Sequence, residues 1–370
     1  MGGREKIITI AGKAELTAGD IHYLLSLAAP EEIKLLGELA YAVKKEHVSN
    51  RVYFRGLIEF SNICSKDCLY CGIRKSNYSP ERFLMSRMEI LDAAMFAQAN
   101  RYGSVVLQSG ERTDQAFIDF VCDIVSSIKT ATQGKLGITL SCGEQSEETY
   151  RRFFEAGAHR YLLRIESSDR ELYGMLHPQD RHHDFDARLN CLRLLKKTGF
   201  QLGTGVMVGL PFQAIEHLVG DLFFLKKIDA DMVGLGPYIE HSQTPLYLFR
   251  DQLWPSQERL VMTLKMIAVL RIMMKDINIA SATALQAIDG FGRERALKLG
   301  ANIIMPNLSP KKHRKDYLLY EDKPCIEEER EECRDCLEIR VKLTGDEIGY
   351  DAWGDSRHFI NRNHKPQPYV

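Results

Sequence analysis

The segments Phe54-Arg55-Gly56-Leu57-Ile58-Glu59-Phe60 and Cys64-Ser65-Lys66-Asp67-Cys68-Leu69-Tyr70-Cys71 follow each other closely in the chain. The first segment is short and largely apolar, which predicts a buried β-strand. The second is a loop that carries three cysteines just after the carboxyl end of that strand. In α/β folds built from parallel strands, chemistry is found at the carboxyl ends of the strands. The two segments together therefore predict an α/β protein with a reactive loop at the strand ends.

The spacing C-x3-C-x2-C lets the three thiols of this loop reach one compact centre. Cysteine thiolates are the usual ligands of iron–sulfur clusters. A cubane cluster has four iron corners, so three protein ligands leave one iron open to a reacting molecule, as at an open metal site. The aromatic ring of Tyr70 would cover such a cluster.

This spacing and the aromatic residue before the third cysteine resemble the signature of radical S-adenosylmethionine (SAM) enzymes, in which the open iron chelates SAM. Two other uses of the cysteines are weaker alternatives. A zinc site usually closes its tetrahedron with a ligand at ribbon or finger spacing, and no such partner follows within the next few dozen residues. Disulfides need an oxidising compartment and usually a small chain, neither of which is indicated.

The composition is that of a globular protein without an obvious nucleic-acid or membrane partner. The 370 residues are 45% hydrophobic and 27% charged, and the formal net charge is −1. This charge offers no electrostatic footprint for nucleic acid or for an anionic membrane. No apolar stretch approaches the roughly 20 residues needed to cross a bilayer, and no signal-peptide core is found at the N-terminus. We therefore expect a cytoplasmic protein whose nine cysteines serve metal or redox chemistry.

From Val52 onward, short apolar segments alternate with longer amphipathic ones, which predicts repeated βα units and a (β/α)8 barrel. An open doubly wound sheet is the alternative, because strand order cannot be read from a sequence. The domain prediction is a helical extension over 1–50, a barrel over 51–310, and a C-terminal cysteine-containing segment over 311–370. The predicted strands are Phe54–Phe60, Ser104–Gln108, Leu136–Leu140, Arg160–Ile165, Leu202–Val208, Met232–Leu235, Ile277–Ala282 and Ala301–Met305.

The segment Gln108-Ser109-Gly110-Glu111 follows the second predicted strand. Its glycine would let the backbone approach a ligand closely, and the Glu111 carboxylate could bind the ammonium group of an amino-acid moiety. The segment resembles the GGE motif of radical SAM enzymes, with Ser109 in place of the first glycine. The alternative is an ordinary βα turn with a solvated glutamate.

Further candidates for binding the cofactor or the substrate lie at the end of the fourth strand, in the helix after it, and in the sixth strand. Arg164 and Glu166 are two positions apart on one side of a strand, so they either bind a polar ligand or form a structural salt bridge. Glu166 could bind ribose hydroxyls, and Arg164 a carboxylate. Arg188 is a candidate for the SAM carboxylate, with a solvated helix arginine as the alternative. Met232 is assigned to the cofactor-binding set, although a strand methionine is most often core.

Hydroxyl-bearing residues at other strand ends could contribute to a cavity. Thr139 lies near the end of the third predicted strand and Thr283 follows the seventh, and helix capping is the alternative role. Tyr317 and Tyr320 are three residues apart and could face the barrel mouth together.

A second group of cysteines, Cys325, Cys333 and Cys336, lies in a strongly acidic tail. The acidic surroundings predict exposure, so this group is not expected to be the catalytic centre. It could hold an accessory iron–sulfur cluster (2Fe-2S or 4Fe-4S), a zinc ion, or nothing.

Taken together, these motifs resemble one family, the FeFe-hydrogenase maturase HydE, a branch of the radical SAM enzymes. The resemblance covers about Val52 to Cys336 and includes the C-terminal cysteines. It is carried by Ile58-Glu59-Phe60-Ser61-Asn62, Gln108-Ser109-Gly110-Glu111, Arg160-Tyr161-Leu162-Leu163-Arg164, Arg188-Leu189-Asn190-Cys191, Met207-Val208-Gly209-Leu210-Pro211, Asp231-Met232-Val233-Gly234, Gly300-Ala301-Asn302 and Met305-Pro306-Asn307.

The resemblance implies a 4Fe-4S cluster on the first three cysteines, bound SAM, and an optional second cluster on the C-terminal three. It implies a role in building the di-iron site of the hydrogenase, on a small-molecule or organometallic substrate, with an electron donor such as ferredoxin or flavodoxin and other maturation proteins as partners. Arg164, Tyr317, Tyr320, Thr139 and Thr283 would line the substrate cavity. The chain departs from the family at Ile165, where histidine is expected, and at Ala282-Thr283, where two threonines are usual.

The mechanism that the resemblance implies is the transfer of one electron to the SAM sulfonium, which breaks the S–C5′ bond to give methionine and a 5′-deoxyadenosyl radical. Three alternatives stay open. Biotin synthase would need further cluster ligands on inner strands, and methylornithine synthase is similar in the barrel. A non-catalytic iron–sulfur scaffold or carrier would need neither Glu111 nor Glu166.

Overall fold

Eight parallel strands form a closed barrel, which confirms the (β/α)8 prediction. In this computed structural model, which describes residues 2–364, β1 pairs with β2 on one side and with β8 on the other, at Arg55↔Ser104 and Tyr53↔Ile303. This closure rules out the open doubly wound sheet. The strands are β1 (Arg51–Ser61), β2 (Ser104–Ser109), β3 (Gly137–Ser141), β4 (Arg160–Leu162), β5 (Gln201–Val208), β6 (Met232–Pro237), β7 (Asn278–Ser281) and β8 (Ile303–Ile304), with a short ninth strand β9 (Glu347–Ile348).

Helices surround the barrel, and further helices precede β1 and follow β8. They are α1 (Gly3–Ala11), α2 (Ala18–Leu25), α3 (Pro30–Val48), α4 (Arg87–Ala99), α5 (Gln115–Ala131), α6 (Glu147–Glu155), α7 (Arg170–Leu176), α8 (Phe185–Thr198), α9 (Ile215–Lys227), α10 (Ser256–Met273), α11 (Thr283–Ile288), α12 (Gly292–Lys298), α13 (Lys311–Arg314), α14 (Arg330–Leu343) and α15 (Arg357–His364), with a 3-10 helix at Pro245–Gln252. None of the helices in the described part of the chain is long and apolar enough to span a membrane.

The N-terminal part of the chain contains three helices, α1 to α3. Thr17 caps α2, because its hydroxyl accepts from the Asp20 N–H and the Asp20 carboxylate accepts from the Thr17 N–H. No side chain caps the start of α1. The domain boundaries at 51 and 310 stay a prediction.

The C-terminal segment closes the amino end of the barrel, a role that the sequence did not suggest. β9 pairs with β1, and the Gly354 carbonyl accepts from Arg55 and Asn278, each at 2.9 Å. Arg160 forms an ion pair with Asp355. Residues 365–370 of the predicted segment lie outside the described residues.

His358 on α15 ties the end of the chain to the barrel. Its Nε2 lies 2.6 Å from Asp229 and its Nδ1 2.9 Å from Asp276. Hydrogen bonds to these two carboxylates raise the pKa of His358 from 6.5 to about 9. Because the folded-state pKa is raised, the stabilisation is complete below about pH 6.5 and is lost as the pH rises through about 9.

We expect His358→Gln to lower the free energy of unfolding by about 1–2 kcal/mol at pH 6, and by much less at pH 9.5. Urea unfolding at the two pH values measures the difference. An equal loss at both values would contradict a charge-dependent attachment of α15.

Candidate functional site

The carboxyl ends of the strands surround one cavity of about 370 Å³, which is large enough for a small-molecule ligand. We call it the chamber. It lies at the end of the barrel where the sequence predicted the chemistry. Among the predicted residues, its lining includes Cys64, Cys68, Cys71, Ser109, Gly110, Glu111, Arg164, Glu166, Arg188, Thr283, Tyr317 and Tyr320.

The three cysteines of the loop after β1 line one side of the chamber. Burial raises the pKa of each thiol, to about 12 for Cys68. The Cys64 sulfur accepts a hydrogen bond from the Glu111 N–H at 3.3 Å. Within residues 2–364, no three Cys, His, Asp or Glu side chains meet closely enough to hold a single metal ion. A cluster that binds each cysteine through a different iron suits this arrangement better than a mononuclear zinc ion.

Four charged side chains next to the cysteines form an ion-pair quartet: Lys66, Glu111, Glu144 and Arg188. The Lys66 ammonium lies 3.2 Å from Glu111 and 2.9 Å from Glu144, and Arg188 Nε lies 2.6 Å from Glu144, in ionic contact but not aligned as a hydrogen bond. Burial raises the pKa of Glu111, although Arg188 and Lys66 oppose the shift. Burial alone would lower the pKa of Lys66, but the two carboxylates outweigh it and the pKa is raised.

The quartet carries no net charge when all four groups are ionised. It can therefore receive a zwitterionic amino-acid group without leaving a buried charge uncompensated. Glu111 and Arg188 were predicted from the sequence, whereas their partners Lys66 and Glu144 were not. Lys66 could have been found because it lies inside the cysteine motif, whereas nothing in the sequence pairs Glu144 with it.

Arg164 and Glu166 form a salt bridge at the chamber wall. A salt bridge was one of the two alternatives predicted from the sequence, the other being a site for a polar ligand. Arg164 donates to Glu166 Oε1 at 2.8 Å and to the carbonyls of Gly234 and Val206 at 3.0 and 2.9 Å. These contacts use all three nitrogens of Arg164. Glu166 Oε2 is buried and accepts no hydrogen bond from the described residues. It is therefore a free acceptor for ligand hydroxyls.

Gly110 brings the β2 loop against the cysteine loop. A Cβ at this position would lie 2.4 Å from the Ile63 carbonyl oxygen and 2.8 Å from the Cys64 Cβ.

We expect Gly110→Ala to displace the cysteine loop, to cost about 1–3 kcal/mol of stability and to lower the iron bound per chain. Gly220→Ala on α9 is the control, because nothing lies within 4 Å of its added Cβ. Equal iron content in both variants would contradict this close packing.

The segment 315–325, which we call the capping segment, crosses the barrel mouth and supplies Tyr317 and Tyr320 to the chamber. Its Lys323 ammonium lies 2.6 Å from the Glu59 carboxylate of β1, and both side chains are buried. The Leu319 carbonyl accepts from the Gly72 N–H at 3.0 Å. The Glu59–Lys323 pair was not predictable from the sequence, because the two residues are far apart in the chain.

Two of the residues predicted to bind SAM or substrate lie outside the chamber lining. Met232 begins β6 at the amino end of the barrel, where its sulfur contacts Arg55. The Thr139 hydroxyl is fully buried and accepts from Arg160 Nε at 2.9 Å. Their positions along the strands explain why both residues lie outside the chamber. Side chains near the amino end of a strand, or deep within it, point into the barrel core. Neither Met232 nor Thr139 belongs to the proposed site.

The C-terminal cysteines are less exposed than their acidic surroundings predicted. Cys333 on α14 is buried, Cys325 is half-buried, and Cys336 is exposed. A hydrogen bond between the first two thiols lowers the pKa of Cys325 to about 6 and raises that of Cys333. Cys336 instead neighbours Arg340. The structure thus brings two of the three thiols together, and a second cluster at this group stays a prediction.

The chamber residues fit a cluster and SAM by their chemistry. Three thiols face the chamber beside a neutral ion-pair quartet, and Glu166 presents an unpartnered buried oxygen. These are ligand sets for iron, for an amino-acid group and for hydroxyl groups.

Comparison with known families identifies the class of protein. The model of the radical SAM superfamily matches residues 58–225, which span the cysteine loop, Glu111, Glu166 and Arg188. The fold and the site thus define a radical SAM enzyme. Members of this class bind a 4Fe-4S cluster and SAM.

The chain is 41% identical over 365 residues to the FeFe hydrogenase maturase subunit HydE of Thermotoga maritima, covering 97% of this chain and 99% of the relative. The chain therefore belongs to the HydE family. It is also 30% identical to the 3-methylornithine synthase of Methanosarcina barkeri, covering 80% of this chain and 81% of that protein.

Solved structures agree on the fold. The crystal structure of methylornithine synthase (PylB) has a TM-score of 0.78 at 26% identity and covers 95% of this chain and 98% of that chain. The FeFe-hydrogenase maturase HydG of Carboxydothermus hydrogenoformans also has a TM-score of 0.78, covering 97% of this chain and 82% of that one. At 19% identity, this second likeness shows the fold alone.

Proposed function

We propose that this protein acts in the maturation of the di-iron site of FeFe hydrogenase. The observation that carries the proposal is the 41% identity to the HydE maturase over nearly the full length of both chains. The chamber supports it, because the three cysteines, the quartet and Glu166 lie around one cavity that extends to the capping segment.

In this proposal Cys64, Cys68 and Cys71 hold a 4Fe-4S cluster. When bound there, the cluster would supply the single electron for reductive cleavage of SAM. The chain's own residues bind and orient SAM. Glu111 accepts from its ammonium group, and Arg188 pairs with its carboxylate.

Three further features of the chamber complete the proposed SAM site. Glu166 Oε2 accepts from the ribose hydroxyls, because it is buried with no other partner among the described residues. Arg164 holds Glu166 in place through its bond to Oε1. Ser109 and Gly110 let the backbone approach the ligand beside the cysteine loop.

The rest of the chamber would receive the substrate. The chamber lining also includes Thr283, Tyr317, Tyr320 and the Glu59–Lys323 pair. We infer a small organometallic substrate, an electron donor such as ferredoxin or flavodoxin, and other maturation proteins as partners. A cytoplasmic location suits a thiolate-bound cluster, because thiols stay reduced there.

The test is a maturation assay. Inactive hydrogenase lacking its di-iron site is incubated with the other maturation proteins, SAM and reductant, with and without this protein. We expect hydrogen evolution only when this protein is present, and none with its Cys68→Ser variant. Hydrogen evolution that is independent of this protein would contradict the proposal.

Methylornithine synthase is the second candidate, because a synthase of this name is 30% identical over most of its length and PylB shares the fold. The discriminating measurement is mass spectrometry of 3-methylornithine after incubation with SAM, reductant and a free amino-acid mixture. Its formation, together with failure of the maturation assay, would favour this candidate.

A further inference from the structure

Arg293 on α12 is a buried arginine beside the chamber that has no role in the site described above. It is 3% exposed, and its Nη2 donates to the Thr283 hydroxyl oxygen at 2.8 Å. Its Nε and Nη1 have no hydrogen-bond partner among residues 2–364. The neighbouring Glu294 carboxylate forms its ion pair with Arg340 instead. Because a guanidinium stays protonated in proteins, Arg293 is a buried positive charge with no carboxylate partner in the described part of the chain.

By contrast, every lysine, arginine and glutamate in the chamber lining is paired. The ion pairs are the quartet of Lys66, Arg188, Glu111 and Glu144, the pair Arg164–Glu166 and the pair Lys323–Glu59. Four positive groups thus face four carboxylates, and their charges cancel. Arg293 adds one positive charge next to this balanced set, and an anionic group bound in the chamber would compensate it.

The contact with Arg293 also fixes the hydrogen-bonding role of Thr283, which lines the chamber. A guanidinium can only donate, so the Thr283 oxygen accepts and its hydroxyl proton stays available to another group. Ser281, two residues earlier in the chain, donates its own hydroxyl proton to the Arg293 carbonyl oxygen at 3.0 Å. Of these two hydroxyls, only that of Thr283 can therefore offer a proton to a ligand in the chamber.

We propose that Arg293 is a positioning residue that makes the chamber at Thr283 a site for an anionic group of the substrate. It keeps the Thr283 hydroxyl proton free for the ligand and supplies the positive charge behind it. The substrate class that fits is a small molecule or metal complex that carries a carboxylate or another compact anionic acceptor. A neutral amide in its place would leave the charge of Arg293 uncompensated. This inference rests on the proposed function, in which Thr283 belongs to the part of the chamber that receives the substrate.

The test is equilibrium dialysis of radiolabelled formate against the full-length reconstituted protein, under anaerobic conditions with SAM and without reductant. SAM is present so that it occupies the quartet and formate does not bind at Arg188. Formate is a small carboxylate, and formamide is its uncharged counterpart of similar shape. We expect wild type to bind formate and to bind formamide at least about tenfold more weakly, because hydrogen bonds to charged groups are the stronger ones.

Three variants separate this role from simple packing. Arg293→Met removes the charge, so it should weaken formate binding by about tenfold or more and leave formamide binding unchanged. Thr283→Val should weaken formate binding as well, because the donor is lost. Arg293→Lys should keep the preference for formate, because the charge remains. A preference for formate that survives in Arg293→Met, or an equal loss of both probes, would overturn the proposal. Should Arg293→Met not fold, unchanged formate binding in Thr283→Val would overturn it.

Arg295 supplies the matched control, because it lies on the same helix but pairs with Asp289 at 2.8 Å. Arg295→Met should bind formate as wild type does, and a loss equal to that of Arg293→Met would mean that any lost charge on α12 is enough. Iron content and SAM binding are measured on every sample. Wild-type protein without a cluster or without bound SAM would overturn the proposed function. A normal cluster and normal SAM binding, with no preference for formate over formamide, would overturn this inference alone.

Discussion

Replacing any one of Cys64, Cys68 or Cys71 with serine is expected to remove the 4Fe-4S cluster. SAM cleavage should then fall to the rate seen when SAM and reductant are mixed without protein. The physical reason is that the three thiols face the chamber with no other cysteine in its lining. A serine hydroxyl is a poor ligand for iron compared with a thiolate. Iron content, visible absorption and release of 5′-deoxyadenosine measure the effect.

The matched control is Cys122→Ser. Cys122 is half-buried on α5 and does not line the chamber, so this variant should keep both the cluster and the cleavage. Cys333→Ser is expected to keep SAM cleavage too, because the C-terminal cysteines also lie outside the chamber lining. Full cleavage by any of the three loop variants would refute the assignment of the loop as the cluster site.

Glu111→Gln is expected to raise the KM for SAM by about 10- to 100-fold, with a smaller change in the amount of cluster. The substitution keeps the shape of the side chain but removes the negative charge proposed to bind the ammonium group of SAM. A hydrogen bond to a charged group contributes about 1.5–3 kcal/mol, which corresponds to that range of affinity. The variant also leaves the quartet with an excess positive charge from Lys66 and Arg188.

Glu148→Gln is the control for this prediction. Glu148 is exposed on α6, and its ion pair with Arg151 lies on the surface. Surface pairs contribute little, so neither KM nor stability should change appreciably. A KM for Glu111→Gln within twofold of wild type would show that Glu111 does not bind SAM.

The barrel was predictable because its signals are local. Apolar strands and amphipathic helices repeat along the chain, and a strand-end loop carries three cysteines. The positions of Glu111 and Glu166 in the chamber followed from the rule that parallel strands bring their carboxyl ends together. The predicted chamber positions of Met232 and Thr139 were wrong, because the sequence does not reveal how deep in the barrel a strand residue lies.

The remaining features depend on contacts between residues distant in sequence. Lys323 reaches Glu59 across 264 positions, and no periodicity signals such a pair. The contact of Gly354 with Arg55 at the amino end of the barrel is also between residues distant in sequence, so it could not be predicted either. Cys333 is buried although its neighbours are acidic, because one face of α14 packs on the core.

A cluster held by three cysteines would leave a place where SAM binds and is split by one electron. The most direct test is to reconstitute the wild-type protein anaerobically, add SAM and dithionite, and quantify methionine and 5′-deoxyadenosine. The account predicts that the two products form in equal amounts and in proportion to the bound cluster. A full cluster with no 5′-deoxyadenosine would contradict it and would favour an iron–sulfur scaffold.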